Sequence, residues 1–156
     1  MRGDWLAIST SLLLALLLTL LPFGGWYGQY APQWLWLVVM YWVLKTPNQI
    51  GLVTAWSMGL LLDVATVGLL GAHALLFTLS AALVLALRPW LNSTGPLQQA
   101  IFFSGLSLLY LLFLLWMQGG LSGGLAVLSY FGRSLSNLVI WPVLLFSLYQ
   151  LRQRLH

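Results

Sequence analysis

Few side chains in this sequence could do chemistry. The 156 residues include two acids, two histidines and no cysteine. Without a thiol there is no disulfide, thiolate metal site or sulfur nucleophile, and so few carboxylates and imidazoles leave little from which to build a polar active site. Asp63 is the one acid away from the N-terminus and lies inside an apolar run. A carboxylate at the centre of a membrane helix costs about 2.5–3.5 kcal/mol on insertion scales, so it has to find partners. His73 follows ten residues later, across the turn-like Gly68-Leu69-Leu70-Gly71. Arg133 and Asn137, four apart, start the last apolar run at similar depth. Asp63, His73, Arg133 and Asn137 are therefore expected to form one polar cluster near one end of a helical bundle, with an Asp63–Arg133 ion pair at its heart. Such a cluster is either a structural hydrogen-bond anchor or a proton or cation site. No H-E-x-x-H is present, and no Gly-rich loop follows a strand to bind phosphates. A catalytic set is not expected, nor a metal or cofactor.

The elements that must position these residues follow from composition. The chain is 61% hydrophobic and 5% charged, against about 25% charged residues in soluble domains. Its solvent is therefore expected to be mostly lipid. Apolar runs punctuated by charge, proline and glycine fall at about 5–21, 28–44, 50–67, 72–87, 97–117 and 134–151. Backbone groups in hydrocarbon must be paired within their own segment, which makes these runs α-helices, and alternating barrel strands are not visible. The expectation is all-α: a compact bundle of six transmembrane helices in one integral domain, residues 1–156. A signal peptide is not expected at the first run, because Pro22-Phe23-Gly24-Gly25-Trp26 offers no small-x-small cleavage site.

Orientation comes from the basic residues, which collect on the cytoplasmic side of short loops. With both termini inside, Arg2, Lys45, Arg88, Arg152 and Arg154 share one face and Arg133 alone lies opposite. The net charge of +4 is thus a topology signal, with no patch suited to nucleic acid. Gly51, Ala55, Gly59 and Asp63 recur at four-residue steps and give one helix face small enough for close approach of another helix. That face is expected to be the seam that takes a partner's helix. Gly119, Gly120, Gly123 and Gly124 are expected to mark turns around a short interfacial helix, and Pro142 to kink the last span.

The chain resembles the bacterial rod shape-determining protein MreD family. The resemblance lies in the plan of six short spans with almost no loops, and in local motifs. These are Gly59-Leu60-Leu61-Leu62-Asp63-Val64, then Gly68-Leu69-Leu70-Gly71-Ala72-His73-Ala74-Leu75, with Arg88 closing the next helix. Pro32-Gln33-Trp34-Leu35 and the Tyr41-Trp42 before Lys45 are also similar to the family. The resemblance implies a non-enzymatic inner-membrane subunit of the cell-elongation, peptidoglycan-synthesising machinery. Its implied partners are the single-span protein MreC and, through it, a RodA-type glycosyltransferase and its transpeptidase. The implied fold is similar to the substrate-binding component of energy-coupling-factor vitamin transporters, which keeps a small-molecule, vitamin-like binder as the alternative function. A membrane-embedded enzyme is a third reading. The family motif falls on Gly59, Asp63, Gly68, Gly71 and His73, and the resemblance brings no catalytic role to them.

Overall fold

A computed structural model describes residues 2–67, 69–117, 119 and 124–154. The described residues are all helix and connection: α1 (Arg2–Leu20), α2 (Gly25–Tyr30), α3 (Trp34–Lys45), α4 (Leu52–Thr66), α5 (Ala72–Ala86), α6 (Arg88–Ser93), α7 (Pro96–Met117) and α8 (Gly124–Arg154). Two of these helices, α7 and α8, are long and apolar enough to cross a bilayer on length and composition. Shorter apolar helices cover Trp5–Leu20, Leu52–Thr66 and Ala72–Ala86.

The expected second span, 28–44, divides in two. Pro32 has no N–H to give and biases the residue before it away from the helical region, and Ala31 stands at φ −58°, ψ 136°. The chain therefore turns between α2 and α3. What remains as α3 has 12 residues, of which Leu35 through Leu44 are all buried. A helix apolar on every side belongs at the centre of its bundle, and α3 contacts α1, α5, α6 and α8. Around it, Trp36 meets the rings of Phe103 and Tyr110, and Phe103 stacks on Trp141 at a centroid distance of 3.9 Å. Its carbonyl end is closed by Arg88, whose Nε donates to the Leu44 oxygen at 2.9 Å, a cation where the helix dipole favours one. Arg88 and Pro89 do not simply end α5, as the sequence suggested, but open the short α6.

The last helix also departs from expectation, beginning ten residues before 134 and running for 31 residues. The short interfacial helix expected after the loop glycines is absorbed into it, and α8 continues through Pro142. At Gly132 a Cβ would collide with the Tyr30 ring, so glycine lets α8 pass close over the end of α2. Of the loop glycines, Gly119 takes a positive φ of 77°, Gly124 starts α8, and Gly120 and Gly123 lie outside the described residues.

α4 and α5 form the most extensively packed pair. Val67 ends α4 in the left-handed region at φ 51°, and Gly71 admits α5 at φ 95°, a conformation that costs glycine nothing. A Cβ on Gly59 would stand 2.5 Å from the Ala74 Cα and 2.6 Å from the His73 oxygen. Both contacts are backbone and cannot swing aside. Gly59→Ala should cost about 1–3 kcal/mol by overpacking, and Gly59→Leu should abolish the monodisperse folded species in detergent. Thermal melting unchanged in both variants would contradict the close crossing.

Candidate functional site

Of the four polar residues expected to gather, the structure brings Asp63 and His73 into contact and sends the other two elsewhere. The Asp63 side chain, on a residue 1% exposed, reaches from α4 to the first turn of α5. Its Oδ2 accepts from the backbone N–H of Gly71 at 2.9 Å and of Ala74 at 3.2 Å, and its Oδ1 from that of His73 at 3.0 Å. His73 Nδ1 lies 2.8 Å from the same Oδ1. With both carboxylate oxygens already accepting from N–H groups, the imidazole nitrogen is the donor in this contact. The first N–H groups of a helix have no partner within it, and none of α5's own side chains caps them. Asp63 therefore acts as the N-cap of a neighbouring helix, its negative charge set against the positive end of the dipole.

Arg133 does not pair with Asp63. Its Nε donates to the Gln29 oxygen at 2.9 Å and its Nη2 to the Gly28 oxygen at 3.0 Å, while the guanidinium carbon stands 5.9 Å from the Tyr130 ring centre. Ser136 donates to the Tyr30 oxygen at 2.7 Å. The carbonyl end of α2 is thus closed by side chains of α8, and a cation there complements the dipole. The pairing with Asp63 fails because α5 supplies that carboxylate with nearer donors.

Asn137, fully buried, locks the α2–α3 link to α7 and α8. Its Oδ1 accepts from the Gln33 N–H at 3.0 Å, and its Nδ2 donates to the Gln33 Oε1 at 3.2 Å and the Ser107 Oγ at 2.6 Å. Ser107 Oγ donates to Gln33 Oε1 at 2.6 Å. One turn away on each helix, Ser104 and Ser134 exchange hydroxyl-to-carbonyl bonds at 2.8 and 2.7 Å. Nothing in the sequence analysis singles out Ser104, Ser107 or Ser134, and Gln33 enters it only within the Pro32-Gln33-Trp34-Leu35 likeness. The available signal was hydroxyls and amides at three- and four-residue steps inside apolar runs, the pattern by which membrane helices are glued together.

The seam expected to receive a partner is occupied from within the chain. Ala55 and Gly59 are buried, and Gly59 meets the backbone of α5. Gly51 lies apart as the residue preceding α4, where an added Cβ would find only the Pro47 oxygen, at 3.8 Å. The small face of α4 is spent on the α4–α5 crossing that brings Asp63 to its donors.

His73 and Arg133 do share one feature, a cavity of about 300 Å³ around the start of α3, lined also by Gln33, Trp36, Thr66 and Tyr110. Among the described residues no group of three His, Cys, Asp or Glu could hold a metal ion. With both oxygens committed, Asp63 is placed to fix a helix rather than to accept a proton from a bound molecule.

Removing the carboxylate's acceptor capacity should be costly. Asp63→Asn is expected to lower thermal stability in detergent by about 2–3 kcal/mol, as for loss of hydrogen bonds to a charged group. His73→Ala, which keeps the three backbone bonds, should cost less. Exchanging Asp63 and Arg133 together should rescue neither single variant, and full rescue would reinstate the direct pair.

The chain matches the family described as rod shape-determining protein MreD over residues 2–155. It is also similar to the rod shape-determining protein MreD of Haemophilus influenzae, at 32% identity over 81 residues, 52% of this chain and 50% of that relative. The alignment thus spans about half the length of the curated relative. No solved structure matches. The family match and the apolar helices together point to a membrane protein. Matched over residues 2–155, the chain belongs to the rod shape-determining protein MreD family.

Proposed function

We propose that this chain is a non-enzymatic scaffold subunit of the cell-elongation machinery that gives rod cells their shape and directs peptidoglycan synthesis. In this reading it is a single integral domain of the bacterial inner membrane. Six apolar segments cross the bilayer with both termini in the cytoplasm, in an architecture similar to the substrate-binding component of energy-coupling-factor transporters. The chain holds an MreC-like single-span protein by helix packing in the membrane, and through it a RodA-type glycosyltransferase and its transpeptidase.

The observation that carries this reading is how the side chains are spent. Asp63, Arg133 and Asn137 all tie helices of the chain to one another. Outward project large apolar side chains, among them Leu13, Leu17, Val64, Val139, Val143 and Phe146. A surface of that kind holds another membrane helix through van der Waals contact and occasional hydrogen bonds of about 0.6–2 kcal/mol each. With the Ala55–Gly59 face filled by α5, the partner's helix rests on these outward faces instead. Helices α4 and α5, at 15 residues each, extend only about 22 Å. They would thin the bilayer around them, at a modest cost that itself favours association with other short-spanned subunits. A second reading, the vitamin-like small-molecule binder, is favoured by the cavity beside His73 and Arg133.

The absence of native cysteine makes single cysteines at Leu17, Val64 and Val139 unambiguous reporters. The tagged chain is expected to recover an MreC-like protein from gently solubilised membranes, and at least one of the three cysteines to cross-link to that partner's span. Failure of both, in cells that make the partner, would remove the scaffold reading. Saturable thermal stabilisation by a vitamin would establish the second.

A further inference from the structure

We propose that the cavity around the start of α3 and the apolar groove beside it form one binding site for an anionic phospholipid, the phosphate in the cavity and an acyl chain in the groove. The inference rests on the membrane placement given above and not on the identity of any protein partner.

Donors line the cavity and no carboxylate does. Arg133 has five N–H groups, of which two bonds to Gly28 and Gln29 use two, leaving three. Gln33 accepts through Oε1 from Ser107 and Asn137, so its NH2 remains to donate. The Tyr110 hydroxyl makes no hydrogen bond among the described residues, although Tyr110 lines the same wall. No carboxylate lines the space, because both oxygens of Asp63 are held by α5 and His73. The first turn of the 12-residue helix α3 opens onto it; the Trp34 and Leu35 N–H groups already donate to the Pro32 oxygen and Thr19 Oγ1, and what the helix start adds is the dipole, which favours negative charge. Charge complementarity therefore asks for a group that only accepts and carries negative charge, as a phosphate diester does.

The cavity alone is small, about 300 Å³, at the lower end of the roughly 300–1,000 Å³ of small-molecule sites. Leu18 and Trp34 line both it and a second space of about 440 Å³ between α1 and α8. That groove is walled by Leu14, Val38, Ile140, Leu144 and Leu148, with no charged side chain. A donor-lined pocket continuing into an uncharged groove along two membrane helices has the division of chemistry of a lipid, head at one end and hydrocarbon at the other. A soluble anion would leave the groove without use, and a zwitterionic head would bring an ammonium toward Arg133.

The test is native mass spectrometry of the full chain in detergent, titrated separately with phosphatidylglycerol, phosphatidylethanolamine and inorganic phosphate, with thermal melting as a check on folding. One phosphatidylglycerol per chain should be retained, with at least about tenfold preference over phosphatidylethanolamine, as expected of one charge-assisted hydrogen bond or more. Tyr110→Phe, which removes a hydroxyl without a partner, should weaken binding by about tenfold. Ser147→Phe, which fills the groove from an exposed position, should weaken it without touching the head site. Equal retention of the two lipids, phosphate binding as tight as the lipid, or affinity unchanged in both variants would overturn the proposal. Loss of lipid binding with recovery of the MreC-like protein intact would leave the scaffold reading standing.

Discussion

The fold depends on how one buried carboxylate is satisfied. A charged group away from water is tolerated only when its lone pairs are filled, and Asp63 fills them with three backbone N–H groups and one imidazole N–H. The same contacts relieve the opening turn of α5 of its unpaired donors. Two costs, a carboxylate with no water and a helix start with no cap, offset each other. The exchange requires the backbones to be nearly touching, and for that Gly59 has to lack a side chain.

The rest of the bundle caps its helices in the same way, with two arginines and two hydroxyls. Arg133 and Ser136 close the carbonyl end of α2, Arg88 closes that of α3, and Thr19 Oγ1 accepts from the Leu35 N–H at 3.2 Å at the other end of the same helix. Each cap joins a helix to an element distant in sequence. In lipid there is little hydrophobic force between helices to do this, so polar caps take over a share of specificity that a soluble core would leave to burial. The position of Arg133, opposite the other basic residues in the sequence reading, follows from its task at the end of α2.

Much of this was legible beforehand because helix periodicity and membrane composition are strong signals. The limits of α1, α4, α5 and α7 were expected within a few residues, and the four-residue step from Ala55 to Asp63 marked the face that is buried. What could not be read was the identity of the neighbour. Small residues say that a helix comes close without saying which one, and the face expected to take a partner's helix is filled by α5. A lone arginine and a lone aspartate suggest each other, yet backbone donors compete for both, and backbone leaves no trace in residue types. The break at Pro32 and the run of α8 through Gly132 were missed for a related reason. Proline and glycine are ambiguous until it is known what packs against them: Pro32 separates two helices here, Pro142 none, and Gly132 makes room for Tyr30.

The most direct measurement of the Asp63 cap is amide hydrogen exchange across residues 69–76 of the chain in lipid nanodiscs, compared with Asp63→Asn. The amides of Gly71, His73 and Ala74 should exchange slowly in the unaltered chain and markedly faster in the variant, while the centre of α3 keeps its protection in both. If these three amides exchange as freely as an open loop, or if the variant protects them equally well, the carboxylate does not hold the helices together.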